Sequence, residues 1–378
     1  MSEMSLGSIS KHFGQVVDPR VERTKLHQLL DVITIAICAV ICGADDWIEV
    51  EQFGNDGLEW FRTFLALPNG IPSHDTFGDV FARIDPDEFQ RGFLSWVQTI
   101  AQLLPGEVIP IDGKTLRRSH NRSTGKHAIH MVSAWASSNR LVLGQVKVDE
   151  KSNEITAIPA LLQTLALCGC IVTIDAMGCQ TEIATAIIVQ KADYMLALKG
   201  NQGHLLDDVS DLFTTARAAN FKDVPHDYAK TTDKAHGRLE TRRCWTISDP
   251  SELAYIRDLT DWDHLRSVVM LEATRRIGQT TTTELRYYIS SLTPSAQQAL
   301  DIVRTHWGIE NELHWVLDVA FREDDCRVRT GYGPQNFAVL RHLALNLLKR
   351  ETSVKVGIKT KRHKAGWSTE YLRKVLSN

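Results

Sequence analysis

At 378 residues, 43% of them hydrophobic, the chain is long enough for two or three cored domains, and its net charge of -3 taken whole says nothing about a polyanion partner. Seven cysteines, an odd number with no C-x-x-C pair, argue for a reducing compartment and against a disulfide framework or a structural zinc. No basic-then-apolar leader opens the sequence, and the longest apolar run, Val32 to Cys42, is too short to span a bilayer. The expectation is a soluble, cytoplasmic protein with no membrane partner.

Residues 1–104 read as an all-helical domain. Arg23 to Ile41 is a long apolar pattern ended by Gly43. Asp46 to Leu67 is a second helix, broken by Pro68-Asn69-Gly70-Ile71-Pro72. Ser73 or Asp75 caps a third, and Pro86 separates it from a fourth over Asp87 to Leu104. Such a bundle suits DNA-end binding or dimerisation, and the pattern does not choose between them.

The pattern changes at Pro105-Gly106. Val108 to Asp112 is a short strand ending in an acid, and His130–Ala136 and Leu141–Val148 form a hairpin. Glu154 to Ala166 is a helix. Ile171 to Asp175 is a second strand ending in an acid. Thr181 to Gln190 is a helix and Tyr194 to Leu198 a fifth strand. Three antiparallel strands followed by two helical crossovers is the order of a ribonuclease H-like core, an α/β fold with a mixed sheet and flanking helices. That topology makes the strands of Asp112 and Asp175 neighbours. A β-rich insertion is expected at about 203–294, with strand-like stretches at Arg242–Ile247, Leu265–Glu272 and Thr281–Ile289. Within it, His236 to Arg242 reads either as a DNA-facing donor cluster or as a charged hairpin with an internal ion pair.

Leu300 to Arg322 reads as one helix. At about 100° per residue, Ile302, Ile309, Leu313, Val316, Leu317 and Ala320 make an apolar stripe, with Val303 and Phe321 at its edge. Glu310 falls inside that stripe. A carboxylate facing a core costs several kcal/mol unless a cation meets it. Either Glu310 pairs with an Arg or His, such as His306, or it is a metal ligand aimed at an active site beside other acids. Glu323-Asp324-Asp325 reads as a solvated helix end. Asn336 to Arg350 is a further amphipathic helix, and 351–378 is a loosely patterned basic tail.

Three hard oxygen ligands, Asp112, Asp175 and Glu310, suit Mg²⁺ or Mn²⁺. Two such ions can stabilise the attacking and leaving oxygens of an in-line phosphoryl displacement. Clustered without metal, the acids repel and raise at least one pKa. The sequence has no G-x-x-x-x-G-K-[ST] loop, no H-E-x-x-H and no G-x-S-x-G. Basic residues are segregated: Lys114, Arg117, Arg118, Arg122 and Lys126 run without an acid, as a polyanion partner requires.

These residues resemble the DDE transposases of bacterial insertion sequences, in the branch of the H-repeat-associated proteins. The resemblance rests on Gly70-Ile71-Pro72-Ser73-His74-Asp75-Thr76-Phe77, Ile111-Asp112-Gly113-Lys114, Ile174-Asp175-Ala176, Leu198-Lys199-Gly200-Asn201-Gln202, His236-Gly237-Arg238 and His306-Trp307-Gly308-Ile309-Glu310-Asn311. It implies a catalytic triad of Asp112, Asp175 and Glu310 holding Mg²⁺ or Mn²⁺. It also implies cleavage and strand transfer of double-stranded DNA, with terminal inverted repeats bound by a homodimer. Expected DNA contacts are Lys114, Arg117, Arg118, Lys199, Asn201, Gln202, His236, Arg238, His306 and Trp307. The wider superfamily's Tyr-x-x-Arg-x-x-x-Glu-x-x-x-x-x-x-Lys pattern is not matched: Val303, His306 and Leu317 stand at the Tyr, Arg and Lys positions, His306 as a partial stand-in for the Arg. Two other readings are a ribonuclease H-like nuclease that cuts without joining and an inactive DNA-binding relic. Joining of 3' ends, or loss of all metal-stimulated cleavage, separates them.

Overall fold

A computed structural model describes residues 9–120, 125, 127–149, 152–235 and 237–377. Its N-terminal part is helical. Leu29–Cys42 is almost wholly buried and stops at Gly43, whose φ of 122° few residues with a side chain adopt. The second expected helix is two pieces, Trp47–Asp56 and Leu58–Phe61, divided at Gly57. His74–Arg83 and Pro86–Ile100 are capped by the side chains of Ser73 and Asp85, which accept from the first free N–H groups. Among the described residues, no helix is long and apolar enough to cross a membrane.

One nine-stranded mixed sheet follows. Its strands are β1 (Val108–Thr115), β2 (His130–Ala136), β3 (Leu141–Val148), β4 (Ile171–Ile174), β5 (Asp193–Leu198), β6 (Asp227–Ala235), β7 (Arg238–Ile247), β8 (Ser267–Ile277) and β9 (Thr280–Ser290). The spatial order is β3-β2-β1-β4-β5-β9-β8-β7-β6. β1, β2 and β3 pair antiparallel, while β1, β4 and β5 are parallel, joined by the helices Glu154–Gln163 and Thr181–Val189. The expected β-rich insertion is not a separate sheet, because β9 pairs with β5 and the last four strands prolong the same ladder. β6, an edge strand of sequence DYAKTTDKA, has no apolar alternation to announce it.

The helix Gly333–Arg350 joins the two parts. Asn336 donates to the carbonyls of Phe81 and Ile84 at 2.8 and 3.1 Å, and Asn346 pairs with both backbone groups of Val142 on β3 at 2.8 and 2.9 Å. One continuous apolar cluster runs from Phe13 through this helix to Val375.

The C-terminal segment is not a loose basic tail. It forms helices Ile358–Trp367 and Thr369–Leu376, and two of its cations are consumed inside. Arg362, 3% exposed, donates to the carbonyls of Val40, Ala44 and Ala320, and Lys361, 6% exposed, donates to those of Leu348 and Glu351. Val40, Ala320 and Leu348 lie in the last turns of three helices. Carbonyls there lack intrahelical partners and carry the negative end of the helix dipole, so a buried cation meets two needs at once.

Candidate active site

β1 and β4 run parallel with Ile111 opposite Ile174, so Asp112 and Asp175 come next side by side. Asp175 lies just past the end of β4, but β1 does not end at Asp112 as expected and runs on along β2 to Thr115. Asp112 accepts from its neighbour's N–H at Gly113 (2.9 Å), and Asp175 caps the following turn by accepting from Met177 N–H (3.0 Å). A side chain at Gly113 would displace the Glu154–His130 pair: a Cβ would stand 2.2 Å from Glu154 Oε1 and 2.4 Å from His130 Nε2, which pair with each other at 2.6 Å.

The third acid arrives on a broken helix. Instead of one helix over Leu300–Arg322, Ala296–His306 ends at Trp307, a π-turn spans Glu310–His314, and Trp315–Phe321 is α-helical again. The apolar stripe is real, with Ile302, Ile309, Leu313 and Leu317 all at 2% exposure or less. Glu310 is not buried with it; its side chain is 61% exposed. The stripe has passed the strand tips at that point, and the same face looks into an open cleft of about 310 Å³ lined by Asp112, Asp175, Lys199, Arg286, His306 and Glu310.

Asp112, Glu310 and His314 offer ligand atoms that all lie within 4.8 Å of one another. His314 Nδ1 is 3.3 Å from Glu310 Oε2 and 3.5 Å from Asp112 Oδ2. The partner of Glu310 is therefore His314, one turn ahead, and not His306. Asp175 stands on the cleft wall outside this cluster, its carboxylate turned to Met177. Among the described residues, no Lys or Arg pairs with any of the three acids. Burial, and after it the charges of Glu154, Asp175 and Glu310, push Asp112 up to about 7 against its one backbone hydrogen bond. Burial, helped by Lys114, holds His314 below the usual histidine range. Two oxygen donors and a nitrogen with no resident cation fit a divalent metal.

Directly behind the cleft lies the opposite arrangement. Lys114, two residues along β1, is enclosed by Asp318 and by Glu323 at 3.0 Å. Glu323 is 3% exposed and also faces Arg341 at 3.8 Å. Against the pull of its own burial, Lys114, Arg341 and His342 hold its carboxyl below the usual range. Glu323 is thus no solvated helix end, and Lys114 is no DNA contact but an internal cation. Arg117 and Arg118 remain outside, paired with Asp324 at 3.1 Å and Asp325 at 3.5 Å.

The other expected DNA contacts divide as well. Lys199 and Trp307 are exposed along the cleft, with the Arg286 guanidinium 5.1 Å from the Trp307 ring centre. Asn201 and Gln202 spend their amides on the carbonyls of Ala176 and Cys179 at 2.7 and 3.0 Å, tying down the loop after Asp175. His306 hydrogen-bonds with Thr173 at 2.9 Å, and burial lowers its pKa, which favours the neutral ring over an arginine-like cation. Arg238 lies 4.0 Å from Glu240, and Arg242 pairs with Glu240 and Asp233, the internally paired hairpin; His236 lies outside the described residues. Sequence reasoning missed His314 and the His130–Glu154 pair. The spacing of His314, four residues after Glu310, was the available signal.

Residues 104–347 match the family described as "Transposase DDE domain", and residues 10–97 match "DDE_Tnp_1-associated". "Putative transposase YncI" of Escherichia coli O157:H7 is 40% identical over 99% of this chain and 96% of its own. "H repeat-associated putative transposase YhhI" of Escherichia coli K12 is 39% identical over 99% of both. The chain belongs to the DDE transposases, in their H-repeat-associated branch. Members of this family generally use divalent metal ions. Among solved structures, a piggyBac transposase synaptic complex with hairpin DNA aligns with 98% of this transposase-family chain and 77% of its own at 12% identity and a TM-score of 0.43, a likeness that carries no argument.

Proposed function

We propose that this chain is the transposase of a bacterial insertion sequence, binding the terminal inverted repeats as a homodimer and cutting and joining DNA at the cleft between Asp112, Asp175 and Glu310. The observation that carries the reading is a cleft in which, among the described residues, no Lys or Arg pairs with Asp112, Asp175 or Glu310, built where β4 ends beside β1 in a chain of this family. The order β3-β2-β1-β4-β5, two antiparallel pairings followed by two parallel ones, supports a ribonuclease H-like core.

Asp112 and Glu310 would hold Mg²⁺ or Mn²⁺, and Asp175 would add a carboxylate from the cleft wall. Bound there, a divalent cation would supply Lewis-acid stabilisation of the charge that develops in phosphoryl displacement. The chain's own part is placement. β1, β4 and the π-turn fix the acids, while Lys199, Arg117 and Arg118 meet phosphates. Trp307 offers a flat face to a base or sugar, and affinity falls steeply with salt.

The test is incubation of the purified protein with a labelled duplex of its element's own end and Mg²⁺ or Mn²⁺, followed by mapping of the cut ends on both strands. Cleavage with joining of the 3' end is expected. Cleavage without joining reassigns the protein as a nuclease, and end binding without cleavage in either metal reassigns it as an inactive relic.

A further inference from the structure

The carboxylates of Asp112 and Glu310 are joined by a nitrogen that the triad does not use. We propose that His314, through Nδ1, is a direct ligand of the cation these two acids hold, giving the centre a mixed oxygen and nitrogen donor set and a preference for Mn²⁺ over Mg²⁺. This rests on the reading of the cleft as a cation-loaded catalytic site.

Three observations carry it. First, Nδ1 faces both carboxylates at once, at distances that suit a shared ion, and its hydrogen bond to Glu310 is a long one. Nδ1 lies 3.3 Å from one carboxylate oxygen and 3.5 Å from the other, long for N–H···O contacts. Donors about 2.1 Å from one cation stand roughly 3 to 3.5 Å apart around it. Second, the ring is fixed and otherwise idle. The side chain is 6% exposed, and Nε2 is buried with no hydrogen-bond partner, so no hydrogen bond at that nitrogen explains the ring's place. Third, the backbone is irregular at this segment. Glu310–His314 is a π-turn between two α-helical stretches, and the wider turn brings position i+4 nearly over position i, aiming both side chains at Asp112. Single π-turns inside helices cost regular hydrogen bonding and cluster at functional sites.

The chemical consequence follows from donor type. Mg²⁺ prefers oxygen and water ligands, whereas imidazole suits first-row transition ions, so a nitrogen in the set raises affinity for Mn²⁺ more than for Mg²⁺. If His314 only steadies the carboxylates from a distance, no such selectivity arises.

Mn²⁺ itself is the probe. Free Mn²⁺ is titrated by electron paramagnetic resonance with full-length wild type, His314→Ala, His306→Ala and Asp112→Asn, and bound Mn²⁺ is examined by pulsed resonance for coupling to ¹⁴N. The expected result is an Asp112-dependent site with nitrogen coupling in wild type and in His306→Ala. In His314→Ala the coupling is lost and Mn²⁺ affinity falls by about tenfold or more, with a smaller loss for Mg²⁺ in competition. Should His314→Ala fail to fold, wild type grown with ¹⁵N-histidine answers instead, since a histidine ligand converts the ¹⁴N pattern to ¹⁵N. Asp112-dependent Mn²⁺ binding without histidine coupling overturns the assignment of His314 and leaves the proposed function standing. Absence of any Asp112-dependent Mn²⁺ overturns both.

Discussion

Asp112 and Lys114 lie two residues apart on one strand and point the same way, yet they end in opposite electrostatic settings. Asp112 meets Glu310, Asp175 and Glu154 with no lysine or arginine paired to it, and is pushed up to about 7. Lys114 meets Asp318 and Glu323 in a closed, mutually satisfied set. The lesson is that pairing, more than charge or burial, separates a working site from a structural one. A mixed cluster neutralises itself and holds the β1 strand to the helix end. A cluster whose acids meet no Lys or Arg carries the cost of burying charge, with mutual repulsion added to it, until a cation arrives.

The sharpest way to break this contrast is to remove the unpaired acid. Asp112→Asn is expected to lower metal-dependent cleavage of a terminal-repeat duplex by about a thousandfold or more, the scale of losing a catalytic charge stabiliser. Binding of the same duplex, followed by gel shift, should change little. A variant with near-wild-type cleavage would remove Asp112 from the chemistry.

Breaking the paired cluster should act on stability instead. Glu323→Gln takes from the buried Arg341 the carboxylate 3.8 Å away and leaves Lys114 with Asp318 alone, and a cost of about 3–5 kcal/mol is expected by urea unfolding. An unchanged midpoint would mean that Asp318 alone suffices for Lys114.

The next effect runs in the opposite direction. A carboxyl near 7 in the fold and near 3.8 when unfolded gives up its proton more readily in the unfolded chain. Its ionisation therefore costs stability, beginning as pH rises past about 4 and complete above 7. Metal-free Asp112→Asn should be more stable than wild type by about 1–3 kcal/mol at pH 8, and no different below pH 4. Calorimetry in a chelator measures this, and a destabilised variant at pH 8 would contradict the cost of burying this charge among other acids. The smallest change is expected at Asp324→Asn, where the partner Arg117 is 79% exposed. A loss under about 0.5 kcal/mol would set this exposed pair against the neighbouring Glu323.

Much of this was legible in the chain. β2 and β3 were readable to their ends because their residues alternate or run apolar between turn residues. Ser73, Gly43 and Pro86 announced their helix boundaries through chemistry that acts within a few residues. β6 was not legible, since an edge strand with polar residues on both faces lacks the pattern that burial imposes. Arg362 and Lys361 read as a solvated tail because nothing local says that three helix ends lie within their reach.

The sequence by itself determined most of the helical and extended stretches, that Asp175 follows the end of a strand, and that Glu310 shares a face with Ile309 and Leu313, because periodicity and capping are local. Tertiary structure alone decided that this face opens to a cleft at Glu310, that His314 joins it, and that Lys114 belongs to Glu323. Those outcomes depend on which charges meet across 200 residues of chain, and a charge carries no mark in sequence of the partner that will neutralise it.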